Sequence, residues 1–515
     1  MKKGFVFGVL ILALMVSSAP LFAQAAERSY YVSDKGDDSN NGRREDAPFK
    51  TLQKAVDSAS AGVVKTITII GPLYYQLVAI KNAGTDEILI TGKVDASNKP
   101  RFLGDAFRIT IDETSTIRIE NIEFIRMGLQ AGSRDDESKR GIVNRGTLIV
   151  GTGVVGACIE NEGTCTIQSN AKVFQIINKS QPMMTWMKED PPSGTVVMKD
   201  TASVVSWDVN GQLKSSRVIG VTNSGTFIMQ DNSKITEITV RHVKESAAGV
   251  HNLGGTFTMK DNAEISNNTT NEPPTDGSWD SWSAGDSWNA GGVANRGVFI
   301  MQGNAKITGN EAKTSNGKGG GVYCYDGGNL TIKENAIISG NKATKGGGVF
   351  IDDAGVTVED KTQIVSNTAK EGGGIYVVQG SFRLTDINGK WVRGFGTVQE
   401  SYRRDAKMWT KEQIIPRTKI EVIPGFTLTG GTITGNKAEY GAGVYAEKNI
   451  SNNDLGKAVA CVAFLLNGGS VTGNEADFVG GGLYLLNKGA FTQGKGTITG
   501  NTAGDGEGED IYIKQ

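Results

Sequence analysis

Residues 346–376 read GGGVFIDDAGVTVEDKTQIVSNTAKEGGGIY and begin and end on nearly the same five letters. Between the glycine triplets lie three short β-like runs, GVFI from Gly348, VTVE from Val356 and QIV from Gln363, each flanked by Gly, Asp or Asn. The relatives of this stretch are GGGVY at 319, GAGVY at 441 and GGGLY at 480. A second element accompanies them: ITGNEA at 307, ISGNKA at 338, IVSNTA at 364, ITGNKA at 433, VTGNEA at 471 and ITGNTA at 498. Asn341 and Asn367 are 26 residues apart, and Asn474 and Asn501 are 27 apart. Looser copies lie upstream, GIVNRGTLIV at 141, GVTNSGTFIMQDNSKI at 220, GVHNLGGTFTMKDNAEI at 249 and GVANRGVFIMQGNAKI at 292.

A fixed period of this size signals a solenoid, propeller or array. A propeller blade needs four strands and about 40–45 residues, and a leucine-rich repeat needs a Leu/Asn consensus that is absent here. Three strands and three turns per period make one rung of a single-stranded, right-handed parallel β-helix. The fold class is therefore all-β. Alternation sets the faces: in TFTMKDNAEI, Phe257 and Met259 point one way and Thr256, Thr258 and Lys260 the other. By the same rule Val349 points inward. Asn310, Asn341, Asn367, Asn436, Asn474 and Asn501 then stack at one corner as structural turn residues, in the left-handed conformation that Asn tolerates. The mature length without inserts divides into about 12–15 such rungs.

The chain has 515 residues, and its 54 basic and 55 acidic side chains nearly cancel, so charge points to no nucleic-acid partner. Glycine, at 69 residues, is about twice its usual share of roughly 7%, which suits a chain made of tight turns. Lys2 and Lys3 precede the apolar run Phe5–Val16, and Ala23-Gln24-Ala25 follows. That pattern is a secretory signal peptide over residues 1–25, which implies export. No later apolar run has the length of a membrane-spanning segment. The expected organisation is a strand, loop and capping helix over residues 26–62 and the β-helix over 63–515. Inserts interrupt the solenoid near 180–194, 271–290 and 381–425. The four cysteines are too few for a disulfide scaffold; Cys158 and Cys165 are close enough in sequence to bridge, while Cys324 and Cys461 read as small buried hydrophobes.

The paired GGGVY and ITGNxA elements resemble the GGAI and FxxN repeats of passenger regions in the polymorphic outer membrane protein family of autotransporter adhesins. Two departures stand out: Ile or Val replaces the Phe of FxxN, and the sequence ends at DIYIKQ without barrel strands. Residues 30–59, YYVSDKGDDSNNGRREDAPFKTLQKAVDSA, look like the opening of pectin-lyase-like β-helix proteins, where a short helix caps the first rung. Leu52, Ala55, Val56 and Ala59 have the spacing for that cap. The resemblances imply a surface or outer-membrane-associated protein, with the periplasm as the alternative compartment, and they imply adhesion or interaction with host protein or polysaccharide. The competing reading is a polysaccharide lyase or other glycan-active enzyme of the pectin-lyase-like fold.

Chemistry is thin in the sequence. Asp34, Asp37 and Asp38 beside Gly and Asn form an oxygen-rich loop that reads first as a solvated turn and second as a Ca²⁺ site. Asp352–Asp353 and Glu359–Asp360 fall at turn positions of an ordinary repeat, and GKGGG at 317–321 lacks the Ser or Thr and the helix of a phosphate loop. No catalytic residue and no cofactor is expected. The inserts are richer: 271–290 carries Trp279, Trp282 and Trp288 among Ser, Gly and Asp, 180–194 carries Trp186, and 381–425 carries Trp391 and Trp409. Tryptophans on polar loops either fold back onto the solenoid or meet a partner, and Trp279, Trp282 and Trp288 are the expected ligand-binding residues.

Overall fold

Each period folds into three short strands because its inward positions are apolar and its corners carry residues that tolerate a turn. Val349, Val356 and Ile364, one from each run of the opening stretch, are all fully or almost fully buried. The computed structural model describes residues 29–81, 86–93, 100–103, 107–125, 141–179, 194–206, 219–241, 246–271, 289–386, 391–392, 418–447, 450–452, 458–460, 463–487 and 490–514. Among the described residues neighbouring strands along the solenoid are parallel and stack like on like, for example Phe227 with Phe257 and Phe257 with Phe299, with register shifts at Val155–Asn161 and Lys437–Tyr440. The molecule is a parallel β-helix.

Face A is a 15-stranded parallel sheet that starts at Ser29–Val32 and ends at Phe491–Gln493. Faces B and C belong to one 26-stranded sheet. They join because Val155–Asn161 and Lys172–Asn178 run unbroken around the corner between them. In a later rung, Lys234–Thr236 lies on face B and Val250–Asn252 on face C, and the chain then returns to face A at Thr256–Met259. The interior is filled by like-on-like stacks, with ring centroids 5.1 Å apart for Phe227–Phe257 and 4.5 Å for Phe257–Phe299. Such offset aromatic pairs contribute beyond their buried area.

The first rung is covered by helix α1, Leu52–Ala61, whose buried residues are Leu52, Ala55, Val56 and Ala59. Thr51 caps it, accepting a hydrogen bond from the Lys54 amide. Asp38 holds Thr51 in place: its carboxylate accepts from the Lys50 amide, the Thr51 amide and the Thr51 hydroxyl at 2.8–2.9 Å. Among the described residues no helix is long and apolar enough to cross a membrane.

Two features of the corners differ from the expectation. The asparagines of the NxA elements do not take the left-handed conformation themselves. The residue before each does, with φ of 64° at Gly309, 62° at Gly340 and 56° at Ser366. This turn aims the asparagine side chain inward, where all six are buried. There is also a second buried column, Asn144, Asn161, Asn178, Asn223, Asn252 and Asn295, at the corner between faces C and A. Asn268 heads the first column, which runs on through Asn310 to Asn501 and ends on Asp510. Asparagine suits both corners because its amide is donor and acceptor at once.

The glycine triplets make the corner between faces B and C in the later rungs. Gly346 has φ of 64°, and a Cβ on Gly347 would lie 2.5 Å from the Gly373 and Thr368 carbonyl oxygens. Backbone therefore packs on backbone there, which a side chain would prevent. The insert 381–425 departs as an antiparallel ribbon, Ser381–Asp386 pairing with Trp391–Val392 and Thr418–Ile423. The inserts at 180–193 and 272–288 lie outside the described residues.

Candidate functional site

The V-Y positions of the repeat face outward on face C. Down this column stand Thr222, His251, Ala294, Tyr323, Phe350, Tyr376, Tyr445, Tyr484 and Tyr512. From Phe350 to Tyr484 the rings stack with centroids 4.6–4.9 Å apart. Outward yet buried, these rings form a second apolar layer beneath the glycine loops.

The stack breaks at Ala294. Neighbouring strands lie about 4.8 Å apart, so His251 and Tyr323 are separated by roughly 10 Å across a rung whose side chain is a methyl group. Tyr325, stacked on Tyr323 at 4.8 Å, reaches back over that gap, and its hydroxyl lies 2.9 Å from His251 Nε2. On the other side of the ring, Ser246 Oγ is 3.5 Å from His251 Nδ1. A cleft of about 430 Å³ opens beside this pair, lined by Leu253, Arg296, Lys318, Asp326, Asp352 and Asp353 as well as His251, Tyr323 and Tyr325.

Charges in the cleft face one another. Arg296 Nε donates to Asp326 Oδ2 at 2.5 Å. Lys318 Nζ sits 4.9 Å from the centroid of the Phe350 ring and 5.9 Å from that of Tyr323, an ammonium over two aromatic faces. Burial holds the Lys318 ammonium below the ordinary lysine range, while Asp352 and Glu447 pull it back up. Burial, reinforced by the Arg296 charge, pushes the His251 imidazole down to about 4, so it is neutral at physiological pH. One rung further, Lys345 Nζ pairs with Glu371 at 2.9 Å and donates to the Tyr376 hydroxyl at 3.1 Å, and that hydroxyl donates to Glu447.

The expected site residues are distributed differently. Trp279, Trp282 and Trp288 lie outside the described residues. The described residues on either side are the strands Thr269–Asn271 and Asn289–Ala290, and Ala290 belongs to the same apolar cluster as Tyr323 and Tyr325. In the N-terminal loop, Asp37 accepts from the Ser39 amide at 2.8 Å, Asp34 accepts from Ser33 Oγ at 3.4 Å, and Asp38 pins the helix cap. Among the described residues no group of three or more His, Cys, Asp or Glu side chains is placed to hold a metal ion. Cys158 and Cys165 are both thiols rather than a bridged pair; burial pushes the Cys165 thiol up to about 12, making it inert. Asp352 and Asp353 enter the cleft, whereas Asp360 stands at the turn between faces A and B, accepting from the Glu334 amide at 2.9 Å.

The cleft residues His251, Arg296, Lys318, Tyr323, Tyr325 and Asp326 were not among the expected site residues. The cleft assembles residues from 251 to 353 because outward and turn residues of four successive rungs, near His251, Arg296, Tyr323 and Asp352, come side by side. The available signal was the break in the V-Y column at Ala294, next to the one histidine and the one double tyrosine of that column. No family model matches the chain, and no curated protein matches it in sequence.

Proposed function

We propose that this chain is an exported β-helix protein that binds carbohydrate in the face C cleft, in the service of adhesion or interaction rather than catalysis. The observation that carries this reading is the convergence of aromatic side chains with hydrogen-bonding groups of both kinds. Tyr323 and Tyr325 make up the apolar part of its lining, the three carboxylates accept, and Arg296 and Lys318 donate. Saccharides need that mixture, since a ring presents an apolar C–H face and a rim of hydroxyls that donate and accept. A rigid solenoid holds such groups in fixed relation and lets loops vary without loss of the core. Export rests on the signal-like segment over residues 1–25, and a surface role rests on the likeness of the repeats to adhesin passenger elements. Trp279, Trp282 and Trp288 extend the same proposal, because the described chain resumes just after them at Ala290, a member of the apolar cluster that holds Tyr323 and Tyr325.

A glycan array probed with the mature chain tests this directly. We expect retention of at least one glycan class, reduced about tenfold by Arg296→Gln, a loss of roughly 1.4 kcal/mol. Replacing residues 271–289 by a short Gly-Ser turn, or changing Trp279, Trp282 and Trp288 to Ala, should weaken attachment while leaving thermal stability nearly unchanged. An array without signal would end the carbohydrate reading. The lyase reading draws on the His251–Tyr325 pair beside Arg296 and Lys318, a set from which a base and a charge neutraliser are chosen in β-elimination. Against it stands the engagement of His251 within the fold, its Nε2 lying 2.9 Å from the Tyr325 hydroxyl and its Nδ1 3.5 Å from Ser246 Oγ. Growth of an ultraviolet-absorbing unsaturated product from polygalacturonate or alginate would decide for the lyase.

A further inference from the structure

We infer that the saccharide held at this cleft is electrically neutral and that Asp326 and Asp353 are the residues that reject polyanionic glycans. The inference rests on the carbohydrate reading above and adds the ligand's chemical class. The cleft carries two cations, Arg296 and Lys318, against three carboxylates, Asp326, Asp352 and Asp353, with His251 uncharged, so its lining is net negative. Both cations are engaged from within: the Arg296 guanidinium holds Asp326 at 2.5 Å, and the Lys318 ammonium lies over Phe350 in the field of Asp352. A uronate or sulfate would have to displace Asp326 to reach Arg296 and would meet two further carboxylates. Like-charge juxtaposition of this kind excludes partners more effectively than a missing contact does.

A cationic ligand is disfavoured for a different reason. The aromatic faces that would receive it, Tyr323 and Phe350, already carry the Lys318 ammonium. What remains is a ligand that donates hydrogen bonds to acceptor-only carboxylates and accepts them from Arg296 and Lys318 without bringing charge. Sugar hydroxyls do this. Asp326 and Asp353 both occupy left-handed turn positions, each with φ of 50°. Asn tolerates that conformation as well as Asp does, so each carboxylate can be neutralised without rebuilding the turn.

The experiment is affinity electrophoresis of the full mature chain through gels containing neutral polymers (β-glucan, mannan, galactan) or polyanions (polygalacturonate, alginate, heparin). Each gel is run at low and at physiological salt. The expected result is retardation by a neutral polymer, insensitive to salt, and free migration through the polyanions. The double variant Asp326→Asn, Asp353→Asn should gain polyanion retention by about tenfold at low salt and lose it at high salt, as screened attraction requires. Thermal melts of the double variant and of Asp353→Asn alone establish that the turn is intact. Retention of the wild type by polyanions, abolished by Arg296→Gln, would overturn the charge argument and leave the carbohydrate reading standing. A folded double variant that gains nothing would overturn it as well. Retention by no polymer of either kind would overturn both.

Discussion

Between residues 141 and 295 the buried amides stand where face C turns into face A; between 268 and 510 they stand where face B turns toward face C. In the earlier rungs each asparagine reaches forward to the carbonyl that closes its own turn, as Asn161 does to Gly163 at 2.9 Å and Asn295 to Gly297 at 3.1 Å. Its carboxamide oxygen takes the amide of the previous asparagine, 2.7 Å from Asn144 to Asn161. In the later rungs the oxygen takes two hydrogens. Asn341 Oδ1 accepts from both the backbone and the side-chain amide of Asn310, at 2.9 and 3.0 Å. The amide on the other side of Asn341 binds Ile307 O and Asn367 Oδ1. The earlier column staples a turn, while the later one replaces backbone pairing at a corner where the chain swings out into a glycine loop.

The difference explains how each column stops. The earlier one runs into Cys324, whose sulfur receives the last amide hydrogen at 3.4 Å, and beyond it the same register position is Ile351, then Val377. The later one ends at Asp510, an acceptor-only side chain that needs no further partner. Where the two columns overlap, around residues 250–310, the outer face also changes, from His251 and Ala294 to the tyrosine stack. The cleft lies at this junction because the outer layer has no large side chain on the Ala294 rung.

The comparison can be broken most forcefully at what both regions share. Val250 and Val349 are fully buried on face C, one in each region. Changing either to Asp buries an unpaired charge and should cost about 3–5 kcal/mol in denaturant unfolding. A tolerated Val250→Asp beside a crippling Val349→Asp would mean the two regions have no common core. Next come the amide columns. Asn341→Leu orphans the Asn310 amide and the Ile307 carbonyl, a loss of about 2–5 kcal/mol. Asn178→Leu releases carbonyls and one side-chain amide, but no backbone N–H, and should cost about 1–3 kcal/mol. Equal losses in the two variants would erase the distinction drawn here.

The junction gives a pH test. The His251 value in the folded chain, about 4, lies below its ordinary 6.5, so between these values the unfolded chain holds a proton that the folded chain refuses. That stability is present above pH 6.5 and is lost as the pH falls toward 4, by up to about 3 kcal/mol. Melting curves of the parent and of His251→Gln should therefore converge, relative to pH 7, as the medium is acidified. If the gap stays constant, His251 is already charged or exposed in the native chain. The smallest effect belongs to Cys324→Asn, which extends the earlier column by one step and offers Asn295 a better acceptor. A change within about 1 kcal/mol is expected, whereas a collapse would show that the column must end where it does.

Much of this architecture was legible in the letters. The period, the three strands, the inward Val349, Phe257 and Met259, and the helix that covers the first rung all follow from local alternation and spacing. These depend on residues that are neighbours in sequence, and the pleat fixes which side each one faces. The columns were less legible. Asn367 bonds Asn436 across 69 residues because an insert intervenes, and the second asparagine column was hidden behind differing turn lengths. The cleft was legible only as the break in the outer column at Ala294. Its charges are ordinary turn residues in their own rungs, and they become a site through stacking that places residues one or more periods apart side by side. Local sequence settled what each rung looks like, since strand and turn are short-range properties. The tertiary structure decided which rungs face each other, which corner carries an amide column and where the outer layer is interrupted, since those depend on register summed over every insert in between.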